Sequence, residues 1–102
     1  MIYGMVTGGI MTTRLDLDRQ AIDDIDARLA ELFEKRFEVV RDIIDYKIEN
    51  RLPILDSSRE KQIIETNVSR IQDDDIRVYF RKLYADMLDL SREFQDDILR
   101  EK

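Results

Sequence analysis

Two cations interrupt an apolar stripe in the first half of the chain, at a spacing that would let them hold one small anion. Arg36 shares a heptad position with the apolar residues Leu29 and Ile43. Lys47 follows eleven residues later, which on an α-helix is about 20° around the axis and roughly 16 Å along it. Two long side chains leaning together could bind an anion. Each cation also has a simpler explanation. Arg36 could pair with a carboxylate of a partner helix, and Lys47 could complement the dipole at the C-terminus of its own helix.

Further polar side chains stand where the later segments of the pattern predict apolar ones. Ser91 and Gln95 are spaced i, i+4 and continue an apolar line. Glu60 lies one helical turn before an apolar position and so faces inward, with Arg59 beside it. Burying such groups without partners is costly, so a ligand or a neighbour must satisfy them. Hydrogen bonds across a helix interface would explain Ser91 and Gln95, and a capping box with Ser57 would explain Glu60.

Taken together, these residues predict a pocket for a dicarboxylate. Four cations occupy inward or edge positions of a chain whose net charge is −6: Arg19, Arg36, Lys47 and Arg59. Three neighbours can supply hydrogen bonds: Glu60, Ser91 and Gln95. An excess of positive charge on inward faces of an acidic protein favours binding of a small anion.

The element that must position most of these cations is one long helix. Apolar residues recur at helical spacing from about Leu15 to Asn50, after a capping box of Thr13 and Asp16, and no Gly or Pro intervenes before Pro53. Such a helix is about 50 Å long. A compact domain of this size has a radius of gyration of about 13 Å. Its own chain cannot cover the helix, which predicts a partner protomer wrapped along it.

Two shorter helices complete the predicted architecture. The second runs from Ser57 to about Ile71, and the third from about Asp75 to Leu99. The acidic connection between them is favourable at the start of the third helix. The fold class is therefore all-α, with three helices of unequal length in an intertwined homodimer.

Composition excludes several functional classes. The chain has no histidine and no cysteine, which removes the commonest general base, thiolate metal ligands and disulfides. A net charge of −6 argues against nucleic-acid binding, and no apolar run approaches the roughly 18 residues of a membrane span. We expect a cytoplasmic protein without metal or cofactor, and we interpret residues 1–13 as a flexible tail rather than a signal peptide.

The scattered polar set resembles that of the all-helical (type II) chorismate mutases. The resemblance rests on "LDLDRQAIDDIDARLAELFEKR", "YKIENRLPILDSSRE" and "LSREFQDDIL", which together carry the pattern R…R…K…D-x-x-R-E…S-x-x-x-Q. It covers about residues 15 to 99, so that residues 14–102 would form a chorismate mutase domain. It implies an intertwined dimer of three-helix protomers that rearranges chorismate to prephenate, on the route to phenylalanine and tyrosine.

The resemblance also implies a role for each polar residue. Arg36 would bind one substrate carboxylate, and Arg19 would reach into the site of the other protomer to bind the second. Lys47 and Gln95 would donate hydrogen bonds to the ether oxygen of the breaking bond. The catalytic residues expected on this basis are Lys47, Gln95 and Arg36.

The remaining residues would hold the rest of the substrate. Glu60 and Asp56 resemble the residues that bind the substrate hydroxyl, partly through the backbone at Asp56. Ser91 and Arg59 would support the carboxylate and an ordered water. Two alternatives remain open: an isochorismate pyruvate lyase of the same fold, which the intact D-x-x-R-E and Ser91 disfavour, and a non-catalytic helical dimerisation module.

Overall fold

Three helices make up nearly all of the described chain. The structure is a computed structural model that describes residues 6–7 and 10–101, with side chains described from residue 12 onward. Its elements are β1 (Val6–Thr7), β2 (Ile10–Met11), α1 (Arg14–Glu49), α2 (Ser57–Val68) and α3 (Asp74–Glu101). The prediction of three helices, one of them very long, is confirmed. The predicted flexible tail falls largely outside the described residues, although β1 and β2 within it pair antiparallel.

The start of α1 is fixed by the predicted capping box. The backbone N–H of Thr13 donates to Asp16 Oδ2 and that of Asp16 donates to Thr13 Oγ1, each over 3.1 Å. The same backbone hydrogen bond from Thr13 lowers the pKa of the Asp16 carboxyl. The capping box is confirmed, and the helix begins one residue before the predicted Leu15.

The end of α1 is a Schellman motif, in which Arg51 takes the position usually occupied by glycine. The N–H of Leu52 donates to the carbonyl of Lys47 over 2.8 Å, and the N–H of Arg51 donates to Ile48 over 3.3 Å. Arg51 has a φ of 55°, in the left-handed region. The helix therefore stops at Glu49, before Pro53 is reached.

The second and third helices differ from their predicted bounds at the connection between them. α2 ends at Val68 and not at Ile71: Ser69 still donates four residues back to Glu65, but the N–H groups of Arg70 and Ile71 donate three residues back, to Asn67 and Val68, each over 3.1 Å. α3 begins at Asp74, where Asp73 Oδ1 accepts from the N–H of Asp75 over 2.9 Å. Capping by an acidic side chain agrees with the predicted role of the acidic connection.

The chain divides into two compact units, Met1–Arg36 and Phe37–Lys102, and the division falls within α1. In the first unit, the helix carries large apolar side chains that are between 38% and 61% exposed in the single chain. They are Leu15, Leu17, Ile22, Ile25, Leu29, Leu32 and Phe33. This row of exposed apolar side chains agrees with the prediction that the chain does not cover its own long helix.

The second unit contains the core. Its buried apolar residues come from all three helices: Val40, Ile44, Val68, Tyr84 and Leu88. The rings of Phe37 and Phe94 add a contact between α1 and α3, with centroids 5.2 Å apart. Ile76 and Leu83, both on α3, are 53% and 64% exposed in the single chain. No helix in the described part of the chain has both the length and the apolar character to cross a membrane.

Candidate active site

Lys47 and Gln95, 48 residues apart in sequence, meet between α1 and α3. Lys47 Nζ donates to Gln95 Oε1 over 3.1 Å. Lys47 lies in the last turn of α1, and its side chain is half-buried. The structure thus brings together the two residues that the sequence predicts as donors to one substrate oxygen.

The ammonium group of Lys47 is also bound by the loop that follows its own helix. Nζ donates to the carbonyl of Ile54 over 2.7 Å, while the Lys47 carbonyl accepts from Leu52. Backbone and side chain of Lys47 therefore both contact the segment between α1 and α2. The two hydrogen bonds of Nζ, to Ile54 and to Gln95, restrict the rotamers of a long and otherwise flexible side chain.

Gln95 and Ser91 are the two buried polar residues of the described chain, each 6% exposed. Gln95 Nε2 donates to the carbonyl of Ser91 over 3.2 Å, and Ser91 Oγ donates to the carbonyl of Met87 over 2.9 Å. No buried side-chain nitrogen or oxygen among the described residues lacks a hydrogen-bond partner. The polar groups that interrupt the apolar stripe are thus satisfied by the protein, and the predicted hydrogen bond across a helix interface is present.

The bonding pattern leaves donors available at this position. An ammonium group has three N–H donors and a primary amide has two. Within the described chain, Lys47 uses two of its donors and Gln95 uses one. Because Nζ lies 3.1 Å from the oxygen of the same amide, the remaining N–H groups belong to two side chains in direct contact. The arrangement is suited to stabilising negative charge on one oxygen atom.

The start of α2 differs from the predicted capping box. Asp56, and not Ser57, is the N-cap: its backbone is extended and its Oδ1 accepts from the N–H of Arg59 over 3.0 Å. Glu60 is therefore one position too late in the helix to close a capping box, and the interpretation of Glu60 as a capping residue is wrong. Asp56 and Arg59 are both exposed. Their proposed contacts with substrate stay predictions.

Glu60 instead forms an ion pair with Arg92 on α3, a residue that the sequence analysis missed. Arg92 Nη1 donates to Glu60 Oε1, and the Arg92 and Glu60 side chains are only 28% and 22% exposed. The hydrogen bond to Glu60 raises the pKa of the Arg92 guanidinium. Arg92 lies three residues before Gln95 on the helix, a spacing that places it beside the same face. That spacing is the signal in the sequence that could have identified it.

The two remaining predicted residues, Arg19 and Arg36, lie on the part of α1 that belongs to the first unit. Arg19 is exposed and Arg36 is half-buried. Their roles as carboxylate ligands stay predictions. Among the described residues, no group of three or more His, Cys, Asp and Glu side chains is arranged to hold a metal ion.

Comparison with known families identifies the chain. The sequence model of the family described as "Chorismate mutase type II" matches residues 18–96. The match spans well over half of the chain and includes every predicted site residue, from Arg19 to Gln95. Comparisons with curated proteins and with solved structures give no match. The chain belongs to the chorismate mutase type II family, which confirms the resemblance found in the sequence.

Proposed function

We propose that this member of the chorismate mutase type II family is an active chorismate mutase, which rearranges chorismate to prephenate. The observation that carries the proposal is the pairing of Lys47 with Gln95, in which each side chain keeps one N–H in the described chain; we infer that both donate to one substrate oxygen. In the reaction, the C–O bond of the ether breaks while a C–C bond forms within the same molecule. Negative charge develops on the ether oxygen, and the two N–H groups would stabilise it.

The residues present are sufficient for this chemistry. A pericyclic rearrangement transfers no proton to or from the protein, so a chain without histidine or cysteine can catalyse it. An acceleration of about 10⁶ corresponds to roughly 8 kcal/mol. One preorganised donor supplies about 3 kcal/mol, so two donors and restriction of the substrate to a compact conformer account for the acceleration.

The rest of the substrate provides acceptors and donors for the other predicted residues. Its two carboxylates would be bound by Arg36 and by Arg19 of the second protomer. Its hydroxyl would donate to Glu60, whose carboxylate lies beside α3 through Arg92. Asp56, through its backbone, would complete the hydroxyl contact, and Ser91 and Arg59 would support a carboxylate and a water.

A homodimer follows from the same proposal. The apolar side chains of α1 between Leu15 and Phe33 are exposed in the single chain, and they repeat at helical spacing. A second copy wrapped along this helix would bury them and bring its Arg19 to the site. We expect light scattering at micromolar concentration to give the mass of a dimer. A monomeric mass would contradict a site built from two chains.

One incubation tests the catalytic proposal against its alternatives. Purified protein is mixed in separate reactions with chorismate and with isochorismate, and the products are identified by liquid chromatography. Prephenate from chorismate supports the proposed function. Salicylate and pyruvate from isochorismate would identify a lyase on the same fold, and no product from either would favour a non-catalytic dimerisation module.

A further inference from the structure

Arg92 bridges two carboxylates on different helices at the edge of the candidate active site. Its Nη1 donates to Glu60 on α2, and its Nη2 donates to Asp89 one turn earlier on α3. In the Glu60–Arg92 ion pair both side chains are less than a third exposed, whereas in the Arg81–Glu65 pair they are 48% and 61% exposed. Solvent screens the attraction in the Glu60–Arg92 pair less than in an exposed pair. The stronger attraction holds the two side chains in one geometry.

A second ion pair between the same two helices shows what is particular to Glu60. Arg81 on α3 binds Glu65 on α2 through both nitrogens and both oxygens, over 2.7 and 3.2 Å. Arg92 binds Glu60 through Oε1 alone, because its other nitrogen is used by Asp89. The two terminal nitrogens of the Arg92 guanidinium thus bind two different carboxylates. In the described chain, Glu60 keeps Oε2 as an acceptor while its position is fixed.

We propose that Arg92 is a positioning residue that fixes the Glu60 carboxylate, so that Oε2 accepts the substrate hydroxyl. This inference rests on the proposed function, in which Glu60 binds that hydroxyl. A half-buried acceptor held in place favours a substrate that presents a donor there and disfavours one that does not. Arg92 would therefore contribute to the selection of chorismate through Glu60, without contacting the substrate itself.

A double-mutant cycle separates this role from a contribution to folding. The constant kcat/KM for chorismate is measured for the wild type, Arg92→Ala, Glu60→Ala and the double variant. We expect Arg92→Ala to lower kcat/KM about tenfold in the wild-type background and less than about twofold in the Glu60→Ala background, because the two residues act as a unit. Arg92→Lys keeps the positive charge but lacks the two terminal nitrogens of the guanidinium, so it should retain part of the kcat/KM that Arg92→Ala loses.

Arg81→Ala is the matched control, since it removes the other ion pair between α2 and α3. It should leave kcat/KM unchanged, and urea unfolding of each variant reports any loss of stability. If Arg92→Ala does not fold, Arg92→Met replaces it in the same cycle, because it keeps a long side chain for packing but has no donor for Glu60. The inference would be overturned if the Arg92 and Glu60 variants lowered kcat/KM independently, or if Arg92→Ala and Arg81→Ala lowered it equally. The proposed chorismate mutase activity would stand in either case. A wild type that forms no prephenate would instead overturn the proposed function and the inference with it.

Discussion

Lys47 on α1 and Gln95 on α3 are joined by a hydrogen bond of 3.1 Å from Nζ to Oε1. This bond fixes which end of the amide faces the ammonium group: the oxygen accepts from Nζ, and Nε2 keeps its donors for other partners. One of them donates to the Ser91 carbonyl, and the other is available to a ligand. The orientation of Gln95 is therefore set by Lys47, and the two side chains should act together in catalysis.

Replacing Gln95 by glutamate should make activity depend on pH. A neutral amide donates at any pH, whereas a carboxyl group donates only when protonated. The positive charge of Lys47 favours the ionised form, so Gln95→Glu should be active only toward acidic pH, with kcat/KM rising as the pH falls from about 8 toward 4.5. Gln95→Met should be impaired across the whole range. A pH profile identical to that of the wild type would remove Gln95 from its role at the ether oxygen.

Removing the ammonium group of Lys47 should abolish most turnover. Lys47→Met keeps the aliphatic stem and deletes the donor, and we expect kcat to fall by about 10²–10³. The carbonyl of Ile54 also loses its donor, so a urea unfolding curve should accompany the kinetics. The control is Lys35→Met, which deletes an exposed lysine that pairs with Glu31 on the helix surface. A similar kcat in both variants would contradict a catalytic role for Lys47.

The sequence could single out Lys47 and Gln95, because polar residues in an apolar stripe are unusual, but only the resemblance to the chorismate mutases implied that the two act as a pair. The partner of Glu60 could not be predicted in the same way. Arginine at the edge of a helix face is common, so the spacing of Arg92 from Gln95 is a weak signal, and it does not identify Glu60 as the partner before the packing of α2 on α3 is known. The periodicity of α1 likewise predicts a helix but not which apolar residues its own chain will bury.

The start of α2 shows a limit of local motifs. Asp56 and Ser57 are both good N-cap residues, and each is followed three positions later by a charged side chain. The S-x-x-E pattern favoured Ser57, yet Asp56 caps the helix by accepting from Arg59. The shift of one residue releases Glu60 from the cap and makes it available to Arg92.

Replacing Arg51 by glycine should stabilise the protein. Arg51 occupies the left-handed position of the Schellman motif with a φ of 55°, where a residue with a Cβ is strained and glycine is not. We expect Arg51→Gly to raise the free energy of unfolding by about 0.5–1 kcal/mol, measured by urea denaturation. Arg51→Ala is the control, because alanine has the same steric cost and should give no gain. Equal stabilities of the glycine and alanine variants would contradict the strain.

Acid should remove the stabilising effect of the ion pair between Glu65 and Arg81. The hydrogen bond from Arg81 lowers the pKa of the Glu65 carboxyl in the folded protein below its ordinary value of 4.5. A carboxyl with a depressed folded pKa stabilises the fold above its unfolded pKa, and this stability is lost as the pH falls through the folded value. Glu65→Gln should therefore unfold at lower urea than the wild type at pH 7, and the difference should narrow as the pH falls below the ordinary glutamate pKa and close below the lowered folded pKa. Arg81→Gln should behave alike, since either change breaks the same pair. A difference that stays constant from pH 7 to acid would show that Glu65 acts through packing and not through its charge.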